Sequence, residues 1–320
     1  MQQRRSFIRN LALIAGGTLP FRTSFAIPKS SMEKAKPLHF GIISDLHHLQ
    51  FGQDEEARMK GFMDAVMTHS PDFIIQNGDF CRPKGSDGIM KEWNRYPGPK
   101  YHVLGNHDMD VCDKATIMQF WGMKQPYYSF DQGGYHFIVM DRNFMRTPDG
   151  SLIDYNNSNW GPVAAPGRSF TDKVQLDWLK NDLAQAKDPS IVFMHQPVFL
   201  SEFVQEIGNA DEILSIFDEA NYKATTTGRG SRVAAVFMGH DHDDRYGERN
   251  GVHYFILNSA TYVYTNDHAY FFQDPLYAFI RLDPKGEMIL EGRTSSYRTQ
   301  TPEDVVARFP TRISDHRLFI

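Results

Sequence analysis

The chain has 320 residues, of which 41% are hydrophobic and 23% charged, with a formal net charge of −5 at pH 7. These are ordinary values for a globular protein with a substantial core. The slight negative charge and the lack of a long basic run disfavour nucleic acid as the main partner. Cys81 and Cys112 are too few for a disulfide framework, and one bridge or two free thiols both stay open. No stretch is apolar and long enough to span a bilayer convincingly, so the mature chain is expected to have no transmembrane helix.

The N-terminus reads as an export signal. Arg4-Arg5-Ser6-Phe7-Ile8-Arg9 sets a twin-arginine pattern in a positively charged segment. Leu11 to Leu19 is short and mildly apolar, and Ser24-Phe25-Ala26 ends in a small residue. The expectation is a twin-arginine signal peptide at 1–26, a linker at 27–37 and a single domain at 38–320.

Leu38 to Ser44 reads as a buried strand ending in Asp45-Leu46-His47-His48. Asp54 to Ser70 has Met59, Phe62, Met63, Val66 and Met67 at helical spacing, with acids in its first turn. Asp72 to Gln76 is a second strand, ending in Asn77-Gly78-Asp79. After a loop and a short helix, Tyr101 to Leu104 leads into Gly105-Asn106-His107-Asp108. Tyr127 to Met140 reads as a hairpin turning at Gly133-Gly134, in which Tyr127, Tyr128 and Phe130 are packing residues. Residues 143–169 form a long polar loop containing Trp160, expected to overhang the site. Arg142, Asn143 and Trp160 are read as exposed loop residues.

Thr171 to Ala186 is amphipathic, with Val174, Trp178, Leu179 and Leu183 on one side and Thr171 or Asp172 as its cap. Ile191 to Met194 is a strand ending in His195-Gln196-Pro197. Asp211 to Ala220 is a helix facing the core with Ile213, Leu214 and Phe217. Val233 to Met238 ends in Gly239-His240-Asp241-His242, and Val252 to Leu257 is a further strand. A hairpin at about 276–292 turns at Asp283-Pro284-Lys285-Gly286 and is expected to complete a sheet.

Polar residues thus follow one apolar strand after another, where open α/β sheets bind ligands. Asp-x-His, Gly-Asp, Gly-Asn-His-Asp, a lone His and Gly-His-x-His, in this order, resemble the calcineurin-like metallophosphoesterase superfamily. The resemblance covers nearly all of the chain after the signal. It implies an α/β fold of two packed β-sheets flanked by helices, a four-layer α/β/β/α sandwich with two metal ions at the strand ends. By motif, Asp45, His47 and His242 would hold the first ion. Asn106, His195 and His240 would hold the second, Asp79 would bridge them, and His107 would be the catalytic histidine.

Imidazole, carboxylate and amide ligands suit Mn, Fe, Zn or Co. Two such ions about 3.5–4 Å apart would polarise phosphorus and bring a bridging water toward neutral pKa, giving a hydroxide nucleophile. His107 would bind a phosphate oxygen or protonate the departing alkoxide, its ring oriented by Asp45, Asp108 or a backbone carbonyl. Asp108 is expected just behind the ligands, and Asp141 and Asp241 outside them.

Arg82 stands where purple acid phosphatases carry a tyrosine ligand. Phe80-Cys81-Arg82-Pro83 and Asp108 depart from the phosphoprotein phosphatase pattern. The pattern looks more like bacterial class III phosphodiesterases, so a phosphodiesterase on a small organic phosphate is expected. Monoester and pyrophosphate substrates stay open, and a catalytically inactive scaffold of the same fold is the remaining reading. The expected partners are a small phosphoester substrate and the twin-arginine export machinery, and the expected location is the periplasm. Cell fractionation checks this: with Arg4 and Arg5 intact the mature chain should leave the cytoplasm, and its retention there would refute export.

Overall fold

A computed structural model describes residues 36–52, 54–164, 167–202 and 208–320. The expected signal peptide at 1–26, and 27–35 of the expected linker, lie outside the described residues. Its strands, in chain order, begin with β1 (Leu38–Ile43), β2 (Phe73–Gln76) and β3 (Lys100–His102). There follow β4 (Tyr128–Gln132), β5 (Tyr135–Val139), and the short pair β6 (Phe144–Arg146) and β7 (Leu152–Asp154). Next come β8 (Ser190–Phe193), β9 (Val233–Met238), β10 (Arg245–Arg249), β11 (Val252–Ile256), and the hairpin β12 (Tyr262–Thr265) and β13 (His268–Phe271). The last are β14 (Ala278–Leu282), β15 (Glu287–Gly292) and β16 (His316–Phe319). The helices are α1 (Glu55–His69), α2 (Asp87–Trp93), α3 (Lys114–Trp121), α4 (Lys173–Gln185), α5 (Ala210–Thr227) and α6 (Glu303–Arg308).

One six-stranded sheet has the order β16-β15-β14-β1-β2-β3, and the other β10-β11-β9-β8-β5-β4. β1, β2 and β3 are parallel, as are β5, β8, β9 and β11. β14 joins the first sheet antiparallel to β1, with Phe40 opposite Ile280. The strands are apolar on both faces because both faces are covered. Phe40 and Phe73 of the first sheet stack with centroids 4.8 Å apart. Phe137, Phe193 and Phe237 of the second meet the Phe40 ring edge-on at 6.0, 5.7 and 6.1 Å, a favoured aromatic geometry. The outer face of the first sheet packs through Ile43 and Ile74 on Met59, Phe62, Trp93 and Ile117. That of the second packs through Val192 and Val236 on Leu176, Leu179, Ile213 and Phe217. The result is the α/β/β/α sandwich.

The structure departs from the sequence pattern in several places. Met67 lies at the edge of the α1 stripe and is exposed, as is Val174; Leu176 completes the α4 stripe instead. Of the two caps expected for α4, the structure uses Asp172, whose side chain accepts from the Gln175 amide. α5 runs seven residues past Ala220, to Thr227. Thr226 and Thr227 sustain that last turn by donating to the carbonyls of Tyr222 and Lys223. Helices α3 and α6, strands β6, β7, β10 and β16 and hairpin β12–β13 add to the elements expected from the sequence. Cys81 and Cys112 are free and buried. No helix among the described residues is long and apolar enough to cross a membrane.

His136 on β5 is clamped between carboxylates, Nδ1 to Asp131 Oδ1 at 2.6 Å and Nε2 to Asp182 Oδ2 at 2.8 Å. Burial would lower its pKa, but Asp182 and Asp131 outweigh burial and raise it. Its stabilisation is therefore complete below the unfolded value of about 6.5 and lost as pH rises through the raised folded value. Thermal melts should show the wild type losing its advantage over His136→Gln across that window, by roughly 2–4 °C for ~1 kcal/mol.

Candidate active site

The site is assembled at strand ends. Asp45 and His47 follow β1, Asp79 follows β2, Asn106 and His107 follow β3, His195 follows β8, and His240 and His242 follow β9. Asp45, His47, Asp79, His195, His240 and His242, singled out in the sequence as candidate ligands, come to one place together with His107, and all but His107 and His240 are buried. Three groups have ligand atoms within 4.8 Å of one another: Asp45, His47 and His242; His47, Asp79 and His107; and Asp79, His195 and His240. Asn106 lies buried with neither its amide oxygen nor its nitrogen hydrogen-bonded.

The backbone is strained to bring them there. Asp45, His47, Asp79, His240 and His242 all have φ between 50° and 70°, a left-handed conformation that costs a non-glycine residue roughly 1–2 kcal/mol. Hydrogen bonds hold the strained turns. The amides of Asp45 and His47 donate to the carbonyls of Gly78 and Asp79 at 3.1 and 2.8 Å. Ser259 Oγ donates to the Asp45 carbonyl at 2.8 Å, and Thr261 Oγ1 to that of Leu46 at 2.9 Å. Buried Arg58 of α1 secures this last loop by donating to the Ala260 and Phe272 carbonyls.

Asp108 ties the loops after β2 and β3 together. Its Oδ1 accepts from the Phe80 and Cys81 amides at 2.7 and 3.2 Å, and its Oδ2 from those of Asp79 and Gly105 at 3.0 and 2.8 Å. Asp79 Oδ1 in turn accepts from the His107 amide at 2.8 Å. Two glycines make the approach possible. A Cβ on Gly105 would collide with the Asp79 amide nitrogen and carboxylate, and one on Gly78, whose φ is 96°, with the His195 ring.

The cluster fits cations. His195 Nδ1 lies 2.9 Å from the Asn77 carbonyl, which can only accept, so Nδ1 carries a proton. Nε2 then faces Asp79 Oδ2 at 3.0 Å and Asp45 Oδ1 at 3.7 Å. Two lone pairs cannot rest there without positive charge between them, supplied by a proton or a metal ion. Without a metal, burial disfavours protonated His195, yet the Asp79 and Asp45 charges outweigh it and raise the pKa to about 10. Despite burial, those same imidazoles hold Asp45 and Asp79 well below the usual carboxylate range. Burial draws His47 down to about 4, so its ring is neutral and keeps a lone pair to offer. His47 Nε2 faces His242 Nε2 at 2.8 Å, and the Nδ1 atoms of both rings are buried without partners.

His107 is oriented by neither Asp45 nor Asp108, contrary to the sequence reading, nor by a backbone carbonyl. Its Nδ1 bonds Asp110 Oδ2 at 3.0 Å, with Gln50 Nε2 at 3.3 Å. Asp110 is itself fixed by Arg82 and Ser158 Oγ, each at 3.0 Å. Burial would lower the His107 pKa, but Asp79 and Asp110 raise it overall. Asp110 is three residues after His107 on a 3-10 turn, so its spacing was the available signal. Trp160 meets the His107 ring edge-on at 5.0 Å, and Ser158 donates its amide to the Met109 carbonyl at 3.1 Å. The 143–169 segment thus packs on the His107 turn, with β6 and β7 within it.

Other neighbours lie outside the three groups. His48 bonds Ser86 Oγ at 2.7 Å. Asp141 forms a buried ion pair with Lys114 at 2.6 Å. Arg142 and Asn143 are fully buried rather than exposed: Arg142 donates to the Ser169 carbonyl and Asn143 to that of Leu104.

A sandwich with this clustered His/Asp site is the frame of a metal-dependent phosphoester hydrolase. The calcineurin-like phosphoesterase family model matches residues 38–244, and the chain belongs to that family. The 3',5'-cyclic-nucleotide phosphodiesterase of Nostoc sp. is 24% identical over 251 residues, 72% of this chain and 81% of that one. The manganese-dependent ADP-ribose/CDP-alcohol diphosphatase of Oryza sativa subsp. japonica is 25% identical over 234 residues, 60% of this chain and 70% of the other. A dimetal phosphatase from Danio rerio shares the fold, with a TM-score of 0.64 at 15% identity, covering 89% of this chain and 99% of that one.

Gly105→Ala should lower the melting temperature, as overpacking by about 1–3 kcal/mol requires. It should also reduce the manganese retained after dialysis, measured by elemental analysis. Wild-type metal retention would show that the close approach of Gly105 to Asp79 does not shape the site.

Proposed function

We propose that the chain is a dinuclear metal-dependent phosphodiesterase acting on a small organic phosphate. The observation that carries this reading is the set of three ligand groups that share Asp79 and His47. Asp45, His47 and His242 would hold one ion. His195, His240 and the unpartnered Asn106 would hold the other, with Asp79 between them. The mixed donor set suits Mn, Fe, Zn or Co. Bound ions would supply Lewis acidity to the phosphoryl group and acidify the attacking water.

The protein's own part is positioning and proton transfer. Asp110 accepts the Nδ1 proton of His107, which leaves Nε2 as the donor to the departing alkoxide. Asp79 and Asp110 raise the His107 pKa against burial, which favours the protonated ring that this step needs. Trp160 covers one side of the ring and limits its motion.

A diester fits better than a monoester or a pyrophosphate. Among the described residues, no lysine or arginine lines the larger cavity at the cluster, and Arg82, on a small adjoining one beside His107, is held by Asp110. Bound metal would then be the main source of positive charge, and a diester brings a single negative charge to it. Pyrophosphate cleavage is the second reading, favoured by the similarity to the rice diphosphatase. We also infer export by the twin-arginine route, supported by Arg4-Arg5 and the apolar stretch after them.

Residues from Ile27 onward, reconstituted with Mn, should hydrolyse bis(p-nitrophenyl) phosphate faster than p-nitrophenyl phosphate, and EDTA should abolish both activities. Asp79→Ala should lose turnover together with bound metal. His107→Ala should keep its metal and lose about 10²–10⁴-fold in kcat on an alkyl diester, with a smaller loss on a nitrophenyl ester that needs less help in leaving. Asp110→Asn should lower kcat with little change in KM. Turnover indifferent to EDTA would overturn the assignment, and a faster monoester would overturn the diester preference.

A further inference from the structure

The cavity at the cluster has a wall that phosphoester chemistry alone does not use. It encloses 360 Å³, and its polar side is the His/Asp cluster. The rest of the lining includes Phe51, Tyr262 and Tyr264. Phe51 follows β1, and the two tyrosines come from β12. Tyr262 and Tyr264 are two residues apart on one strand and so share a face. Phe271 on β13 sits opposite Tyr262. The hairpin turns at Asn266-Asp267, both with φ above 50°, a two-residue turn that matches the strand twist and presents that face rigidly.

These rings form a continuous row leading out from the cluster. Tyr262 packs on His47 and His242, with centroids 5.2 and 5.0 Å away. Phe51 meets Tyr262 edge-on at 5.1 Å and lies nearly parallel to Tyr264, 5.8 Å between centroids and 13° between planes. Tyr262 is buried, whereas Phe51 is 42% and Tyr264 50% exposed. Single exposed apolar residues are common on any protein surface. Two near-parallel rings at the mouth of a reactive site, backed by a third that touches the candidate ligands, are a built surface. Among the described residues, no lysine or arginine lines this cavity to pair with a second phosphate or a carboxylate. What this wall offers is π-faces, which every nucleobase can use irrespective of its hydrogen-bonding edge.

The geometry points to a stacking subsite in which Phe51 and Tyr264, backed by Tyr262, receive a neutral planar ring carried by the non-leaving alcohol of the phosphoester, so that the substrate class is a nucleoside phosphodiester. This assignment rests on the phosphodiesterase reading above. It adds a specificity that the metal ligands cannot provide, since those see only the phosphoryl group.

The test compares two diesters with the same leaving group and charge: thymidine 5'-(p-nitrophenyl phosphate) and methyl p-nitrophenyl phosphate, with the manganese-reconstituted chain. Wild type should show a KM about tenfold or more lower for the nucleoside ester. Phe51→Ala and Tyr264→Ala should each raise that KM about tenfold more than they raise the KM for the methyl ester. Tyr264→Phe should retain the preference and Tyr264→Leu should lose it, which separates a ring face from apolar bulk. Equal KM values in wild type, or variants that affect both esters alike, would overturn the subsite and leave the phosphodiesterase reading standing. If neither ester is turned over, that reading fails and the subsite is judged by binding. Saturation transfer to the thymine protons of thymidine 5'-monophosphate should be seen with wild type and weakened in Phe51→Ala. Equal transfer, or none with wild type, would overturn it.

Discussion

The geometry of the site depends on one buried carboxylate. Asp108 accepts four backbone amides, from Asp79, Phe80, Cys81 and Gly105, and so fastens the turn after β2 to the turn after β3. Burial and the neighbouring Asp79 charge raise its pKa well above the usual carboxylate range, and the amides of Gly105 and Phe80 counter only part of that rise. Each backbone hydrogen bond contributes about 0.5–1.5 kcal/mol, and more where the carboxyl is charged, so the four together work against the cost of burying the group. Replacing the carboxylate would leave amide donors unsatisfied in the interior and release Asp79, whose own carboxylate is fixed by the next amide along, that of His107.

That fastening explains how the site tolerates its strain. Five of the residues in the three ligand groups sit in left-handed backbone, and such conformations persist only where the surroundings over-determine them. Here they are determined from both sides. Below lies the contact of Phe40 and Phe73 with Phe137, Phe193 and Phe237 between the sheets, which fixes where the strands end. Around the turns run the loop bonds from Ser259 and Thr261, with Arg58 behind them. The strained turns aim side chains from both sheets at one another, so their cost is inseparable from the clustering.

The clustered Asp and His residues were legible in the sequence because each depends on a local pattern, an apolar run followed closely by Asp or His. The sandwich followed from those motifs taken together, through the resemblance they carry. What the sequence concealed depends on distant partners. Gln50 reaches Tyr262 across 212 positions, and no local pattern announces that. Arg142 and Asn143 read as exposed loop residues, yet they are buried against the Ser169 and Leu104 carbonyls. Asp110 is the instructive exception. Its three-residue spacing from His107 was visible, yet Asp45, Asp108 or a backbone carbonyl was the expected orienting group. Asp108 turns out to bind only the backbone.

Charge and shape divide the labour of the site between strand ends and surface segments, and the division follows from where each element sits. Strand ends are held by two sheets and can carry the buried, strained, charged groups that need fixed positions. Surface segments such as the turn holding Phe51 and the hairpin β12–β13 lie outside that frame, so they can vary without moving Asp79 or His195. Asp45 and Asp79 demand positive charge, and among the described residues the lining of the larger cavity provides no lysine or arginine to meet it. Cations bound between the carboxylates and imidazoles would therefore answer both the protein's own electrostatic imbalance and the charge of an incoming phosphoester. The rings of Phe51 and Tyr264 are left to discriminate among the groups attached to it.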